Sequence, residues 1–83
     1  MLARDIVNST TIGAMGTILV SGTVVKVGTA GGETEIGPAQ RFEQLVADLE
    51  VLSRAGDIGE IWKEYEGGPA DTSVVRVRFK RLR

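Results

Sequence analysis

Neither cysteine nor histidine occurs in this sequence of 83 residues. The lack of cysteine excludes disulfides, thiol nucleophiles and cysteine-ligated zinc, and small domains without disulfides are typical of a reducing compartment. The lack of histidine removes the commonest general base and the commonest ligand of transition metals. We therefore predict a cytoplasmic protein that has no cofactor and no metal and is not an enzyme.

Long apolar runs are also missing. Residues 9–25 carry no charge, but nine of them are serine, threonine or glycine, which is too polar for a membrane span. Arg4 is followed directly by Asp5, which does not fit the basic start of a signal peptide. We therefore expect no membrane partner. With 42% apolar and 25% charged residues, the composition is that of one small globular domain, residues 1–83.

β-branched residues are concentrated in the first third of the chain. They favour β-structure over Thr17–Val27, with Gly22 as a bulge or a turn. The segment Gly28–Gly32 predicts a turn that joins this region to a short strand over Glu33–Ile36. The segment lacks the Lys-Ser/Thr pair of a phosphate-binding loop, so a plain hairpin turn is the favoured interpretation.

The pattern of residues 6–15 is ambiguous. Ile6, Val7 and Ala14 fit a helix, whereas the threonines and glycines around them weaken one. We prefer a strand over residues 6–15. The sequence leaves open whether residues 2–16 as a whole form a strand or a helix.

The clearest helix lies at residues 39–55, directly after Gly37-Pro38, because proline is favoured at the first helical position. Glu50 and Arg54 are one turn apart on its outer side and form a favourable pair. Gly56 marks its end. The apolar residues recur at the three- and four-residue spacing of one buried stripe: Phe42, Leu45, Val46, Leu49 and Leu52.

A second helix is predicted at residues 58–66. Asp57 can cap its N-terminus, and Glu60, three residues further on, completes a capping box. Trp62 and Tyr65 are predicted to be core residues, with exposed anchors at an interface as the alternative. The apolar face of this helix would consist of Ile58, Ile61, Trp62 and Tyr65.

The last ten residues read V-V-R-V-R-F-K-R-L-R. Apolar and cationic residues alternate in them, which is typical of a half-buried strand with Val75, Val77 and Phe79 in the core. Residues 76–83 contain five of the ten cationic side chains and no acid, so they carry +5 while the preceding residues carry −6. We call these five residues the basic tail: Arg76, Arg78, Lys80, Arg81 and Arg83.

These segments together predict an α+β fold. The order of strands, then two helices, then one strand indicates a single small domain with an antiparallel or mixed sheet. The sheet is expected to contain the N-terminal strands with their hairpin and the C-terminal strand. The two consecutive helices, at 39–55 and 58–66, are expected to pack on one face of it.

Acidic side chains cluster on the second predicted helix. Glu60 and Glu64 would be one turn apart, with Glu66 close by and Trp62 beside them. A solvated surface is the plain interpretation, because Lys63 lies within the cluster. The functional interpretation is an acidic helix face that meets a partner. We take these four residues, together with the basic tail, as the candidate partner-binding residues.

The stretch from Ser21 to Gly56 combines a hairpin, a Gly-Pro step and the helix F-E-Q-L-V-A-D-L-E-V-L. It resembles the hairpin–helix portion of small phage head–tail joining proteins of the gpW type, which also end in basic residues. The similarity covers fewer than half of the residues and departs from that family at the Gly/Thr-rich N-terminus and after Gly56. The resemblance implies an assembly protein of phage or mobile-element origin.

The leading hypothesis is a non-catalytic protein–protein interaction or assembly module with a charge-polarised surface, formed by the acidic helix face and the basic C-terminal strand. Complementary charges on one chain also suggest a homo-oligomer. One alternative is a nucleic-acid-binding accessory protein that contacts phosphates through the basic strand. The other is a small inhibitor or immunity-type protein that acts through its acidic face.

Overall fold

The computed structural model describes residues 2–29, 32–65 and 74–83. A short helix comes first, three strands and a longer helix follow, and two strands end the chain. The bounds are α1 Ala3–Ser9, β1 Met15–Ser21, β2 Val24–Thr29, β3 Gly32–Pro38, α2 Phe42–Arg54, β4 Trp62–Tyr65 and β5 Val74–Lys80, with a 3-10 turn at Ala39–Arg41 that leads into α2.

The five strands form one antiparallel sheet in the order β3-β2-β1-β5-β4. The central strand is β1, in which Thr17 lies opposite Gly28 of β2 on one side and opposite Arg78 of β5 on the other. The C-terminal strand β5 therefore lies inside the sheet, between β1 and β4. A partner strand cannot add to β5, because both of its edges are already paired.

Both helices pack on one face of the sheet. This confirms the predicted α+β fold class with an antiparallel sheet. No helix in the part of the chain that the structure describes is long and apolar enough to cross a membrane. The core consists of apolar residues from the helices, from the sheet face beneath them and from the segment before β4: Ala3, Ile6, Val7, Ile18, Val25, Val27, Phe42, Leu45, Leu49, Leu52, Ile58, Val77 and Phe79.

Helix α2 and strand β5 agree with the sequence pattern. Four members of the predicted helix stripe are buried in the core, and Val46 packs against it. Gly56 follows the helix with a φ of +84°, a conformation that suits glycine at a helix end. In β5, Val77 and Phe79 are fully buried and Val75 is half-buried.

The predicted hairpin after β2 is confirmed by the antiparallel pairing of β2 with β3. Residues 30 and 31, at the centre of the predicted turn, lie outside the described residues. Gly22 forms part of the turn between β1 and β2 and has a φ of +62°. It is therefore a turn residue and not a bulge.

The preferred strand over residues 6–15 is wrong, because this segment begins in helix α1. Ala3, Ile6 and Val7 have helical spacing and are buried, and tertiary packing of an apolar stripe outweighs weak helix propensity. The backbone N–H of Leu2 donates a hydrogen bond of 2.8 Å to the carboxylate of Asp5. This bond satisfies one of the N–H groups that are left without partners near a helix N-terminus.

The predicted second helix at residues 58–66 is also wrong. Ile58 forms a β-bridge with Arg81, and β4 pairs with β5. The backbone N–H of Gly59 donates a hydrogen bond of 2.9 Å to the carbonyl of Lys80. This segment therefore pairs with the C-terminal strand instead of forming a helix. Pairing with a strand that is distant in the sequence satisfies the backbone N–H and C=O groups, and the local spacing of apolar residues gives no information about such pairing.

Candidate functional site

The sheet face opposite the helices is uncovered in the described part of the chain. Directly opposite residues of an antiparallel pair share one face, so the strand registers identify the side chains of this surface, which we call the open face. One row consists of Glu33, Gly28, Thr17, Arg78 and Trp62, and the next consists of Glu35, Lys26, Leu19, Arg76 and Glu64. Met15 and Lys80 form a third row.

Three residues of the basic tail lie on the open face. Arg76, Arg78 and Lys80 occupy alternate positions of β5, as the period-2 pattern predicts. Lys80 makes no ion pair with any residue that the structure describes. Lys80 lies directly opposite Met15 at one end of the surface.

Arg81 has a structural role on the helix side. Its Nη1 donates hydrogen bonds to the carbonyls of Asn8, at 3.1 Å, and Thr10, at 2.8 Å. The last carbonyls of a helix lack partners within the helix, so this guanidinium satisfies the C-terminal end of α1. Arg83 lies 4.0 Å from Asp57. These two members of the basic tail are therefore not part of the open face.

Glu64 lies between the two arginines of β5. Its Oε1 is 3.0 Å from Nη2 of Arg78, and its Oε2 accepts a hydrogen bond of 3.4 Å from Nη1 of Arg76. The predicted acidic helix face does not form, because Glu64 belongs to β4 and pairs with the basic strand. Glu60 is exposed between α2 and β4, and Glu66 lies outside the described residues.

Trp62 and Tyr65 are not core residues, so that prediction is wrong. Their exposed fractions are 47% and 42%, so both side chains lie at the surface. Trp62 lies directly opposite Arg78 on the open face. Met15, on the same face, is 46% exposed. The open face thus presents two large apolar side chains beside its arginines.

Two shallow depressions adjoin on the open face. Because Arg78 and Met15 border both of them, a ligand can reach Arg78 from either side. The first has a volume of about 450 Å³ and is lined by Met15, Thr17, Gly28, Glu33, Arg76 and Arg78. The second has a volume of about 410 Å³ and is lined by Met15, Trp62, Glu64 and Arg78.

The open face is less basic than the tail alone suggests. Its four cations, Lys26, Arg76, Arg78 and Lys80, stand against three acids, of which Glu35 lies opposite Lys26 and Glu64 lies opposite Arg76. The remaining acid, Glu33, lies on the edge strand β3. Four cations against three acids leave the open face with a net charge of +1. Glu64 also pairs with Arg78, at 3.0 Å, whereas Lys80 lies opposite Met15 and has no acid opposite it in the described strands.

Seven residues of the open face were not predicted from the sequence as site residues: Met15, Thr17, Leu19, Lys26, Gly28, Glu33 and Glu35. They belong to the site only because β1 lies beside β5 in the sheet and is followed by β2 and β3. No local pattern specifies which strands are neighbours. The alternation of Thr17 with buried Ile18 on β1 is the one signal that marks an outward side of this strand.

Comparisons with known proteins do not guide the interpretation of this surface, since no family model, no curated protein and no solved structure matches the chain. The resemblance to gpW-type proteins therefore gains no support from them. The function has to be argued from the chemistry of the open face.

Proposed function

We propose that the protein is a non-catalytic protein–protein interaction module that binds its partner on the open face. The observation that carries the proposal is the set of exposed side chains around the two depressions, which includes Trp62, Met15 and Arg78. Tryptophan, methionine and arginine are enriched at protein interfaces, and tryptophan and arginine often dominate the binding free energy. We also propose a cytoplasmic location, which the lack of cysteine supports.

A nucleic-acid partner has weaker support. Phosphate binding needs a strongly cationic surface, and single strands also stack their bases on several exposed aromatic side chains. The described open face has one tryptophan, and Glu33 and Glu35 on β3 would repel phosphates. One observation favours this alternative, the cross-strand pairing of Trp62 with Arg78.

The inhibitor or immunity-type alternative depends on acidic side chains that are free to meet a basic partner. Glu64 already pairs with both Arg76 and Arg78, and Glu60 is the one other residue of that acidic set that the structure describes. This alternative therefore has less support than the open face. The phage or mobile-element origin rests on the resemblance alone, and we leave it out of the proposal.

The proposal is tested by affinity capture from a lysate of the organism that makes the protein. The open-face variant is Trp62→Ala/Arg78→Gln. The control is Val51→Ala/Arg54→Gln on α2, which also removes one exposed apolar side chain and one exposed cation. Circular dichroism establishes that both variants fold.

We expect the wild type and the control to retain the same protein partner and the open-face variant to lose it. Equal capture by all three proteins would contradict the proposal, and so would a loss confined to the control. Recovery of nuclease-sensitive material that depends on Arg78, in place of a protein, would favour the nucleic-acid alternative.

A further inference from the structure

We infer that the open face binds an acidic segment of the partner protein, and that Glu64 competes with this segment for Arg76 and Arg78. The inference rests on the proposed function and specifies the chemistry of the partner. A carboxylate of the segment takes the place that Glu64 holds between the two guanidinium groups. An apolar side chain of the same segment lies against Trp62 and Met15.

The two arginines have donors to spare. A guanidinium carries five N–H groups, and Glu64 contacts one nitrogen of Arg78 and one of Arg76. The side chains of Arg76, Arg78 and Glu64 are 38%, 50% and 44% exposed. Ion pairs that are this accessible to water contribute little to stability. An incoming carboxylate can therefore share or replace the contacts of Glu64 at small cost.

The shape of the surface suits an extended chain. The first depression has Gly28 and Thr17 among its lining residues, and the second has Trp62. Gly28 has no side chain, so the sheet is thinnest at this point of the row that contains Arg78. A segment that crosses Arg78 can therefore place one side chain in each depression.

The charge of the open face indicates which class of partner can bind there. The net charge of +1 and the accessible guanidinium groups of Arg76 and Arg78 favour a carboxylate on the segment. Glu33, which lines the first depression, and Glu35 keep that carboxylate away from β3. A second copy of this chain is a poorer occupant. If two open faces stack about a twofold axis along the central strand β1, Lys26 of β2 comes to lie over β5 of the other copy, which carries three cations. Like charges would then meet across the interface.

The inference is tested by selecting binders to the intact wild-type protein from a displayed library of short random peptides. We expect the selected peptides to be enriched in aspartate or glutamate next to an aromatic or aliphatic residue. The affinity of the strongest peptide is then measured by fluorescence polarisation against four variants. These are Arg78→Gln, Gly28→Val, Glu64→Gln and the control Arg54→Gln.

Each variant isolates one part of the inference. Arg78→Gln should weaken binding by about tenfold or more, because it removes one side of a charge pair. Gly28→Val places a branched side chain in the floor of the first depression without changing any charge. A Cβ at this position meets its nearest neighbours at 3.6 to 4.0 Å, which is ordinary contact, so the variant should fold and lose the peptide.

Glu64→Gln should strengthen binding by about two- to fivefold, the factor that an exposed ion pair is worth. Arg54→Gln should have no effect.

Four results would overturn the inference. One is a selection that yields no acidic enrichment. Another is a peptide whose affinity is unchanged by both Arg78→Gln and Gly28→Val. The third is weaker peptide binding by Glu64→Gln, because removing a carboxylate that competes with the peptide should strengthen its binding. If lysate capture still depends on Trp62 and Arg78 in any of these cases, the proposed function stands and the acidic segment alone is refuted. The fourth result comes from measuring the binding of labelled oligothymidylate to the wild-type protein at low salt. Tighter binding than that of every peptide would contradict the inference, and no binding would support it.

Discussion

Gly16 and Phe79 lie directly opposite each other in the β1–β5 pair, on the face of the sheet that the helices cover. The ring of Phe79 takes up the space that a side chain on residue 16 would need. A Cβ added to Gly16 would lie 2.5 Å from Cζ of this ring. Because Phe79 is fully buried, it has no solvent to move into.

We therefore expect Gly16→Ala to lower the free energy of unfolding by roughly 1–3 kcal/mol, the usual cost of overpacking a core. Gly28→Ala is the matched control one strand away on the open face, where an added Cβ meets only ordinary contacts. It should leave stability unchanged or raise it by up to about 1 kcal/mol, since glycine weakens a strand interior. Urea unfolding of both variants measures the difference, and an equal effect of the two would contradict the packing described.

Apart from the hairpin of β2 and β3, the parts of the fold that the sequence predicts correctly are elements with one buried side. The stripe of α2 and the alternation of β5 belong to this class, because each pattern repeats several times within its own segment. Helix α1 has 7 residues and strand β4 has 4. Strand β5 also has 7 residues, but a period of two repeats three times in that length, whereas seven residues make only about two turns of a helix. The conformation of α1 and β4 therefore depends on contacts with distant parts of the chain.

The sequence predicts only the part of the candidate site that lies within one strand with a repeating pattern. Arg76, Arg78 and Lys80 were placed on one side of a strand by their spacing alone. The position of Glu64 beside them depends on the pairing of β4 with β5. The sequence therefore predicts Glu64 on a separate acidic helix face, whereas in the structure its carboxylate neutralises part of the basic strand.

Arg81 provides a prediction about the end of α1. Replacing Arg81 by Gln removes the hydrogen bonds to the carbonyls of Asn8 and Thr10, and we expect a loss of about 1–2 kcal/mol in the free energy of unfolding. Lys80→Gln, at the neighbouring position, should change stability by less than about 0.5 kcal/mol, as is usual for exposed residues. Thermal unfolding monitored by circular dichroism compares them. An effect of Lys80→Gln as large as that of Arg81→Gln would show that net charge, and not the hydrogen bonds, is responsible.

Substitutions at Ile58 and Trp62 should affect stability and partner binding differently. Ile58 is 1% exposed, so Ile58→Ala should cost roughly 2–5 kcal/mol. Trp62 is half-exposed, and Trp62→Ala should cost less than about 1 kcal/mol while removing an anchor of the open face. Urea unfolding together with partner capture tests both. If Trp62→Ala unfolds the protein, Trp62 belongs to the core and the open face loses its main apolar contact.

Glu50 and Lys63 supply a prediction about pH. Lys63 of β4 reaches α2 on the helix side, where its Nζ donates a hydrogen bond of 2.7 Å to Oε1 of Glu50. This hydrogen bond and the attraction between the charges hold the pKa of Glu50 below its ordinary value of 4.5, with a smaller lowering from Arg54. The same hydrogen bond raises the pKa of Lys63 above 10.5.

The sign of the pH dependence follows from these directions. The contribution of Glu50 to stability is present above pH 4.5 and is lost as the pH falls through its lowered pKa. That of Lys63 is present below pH 10.5 and is lost as the pH rises through its raised pKa. An NMR titration of the Glu50 carboxyl carbon should therefore give a pKa below 4.5 that rises in Lys63→Gln and rises less in Arg54→Gln. The reverse order of the two variants would show that the partner within the helix dominates, and that β4 is not held to α2 by this pair.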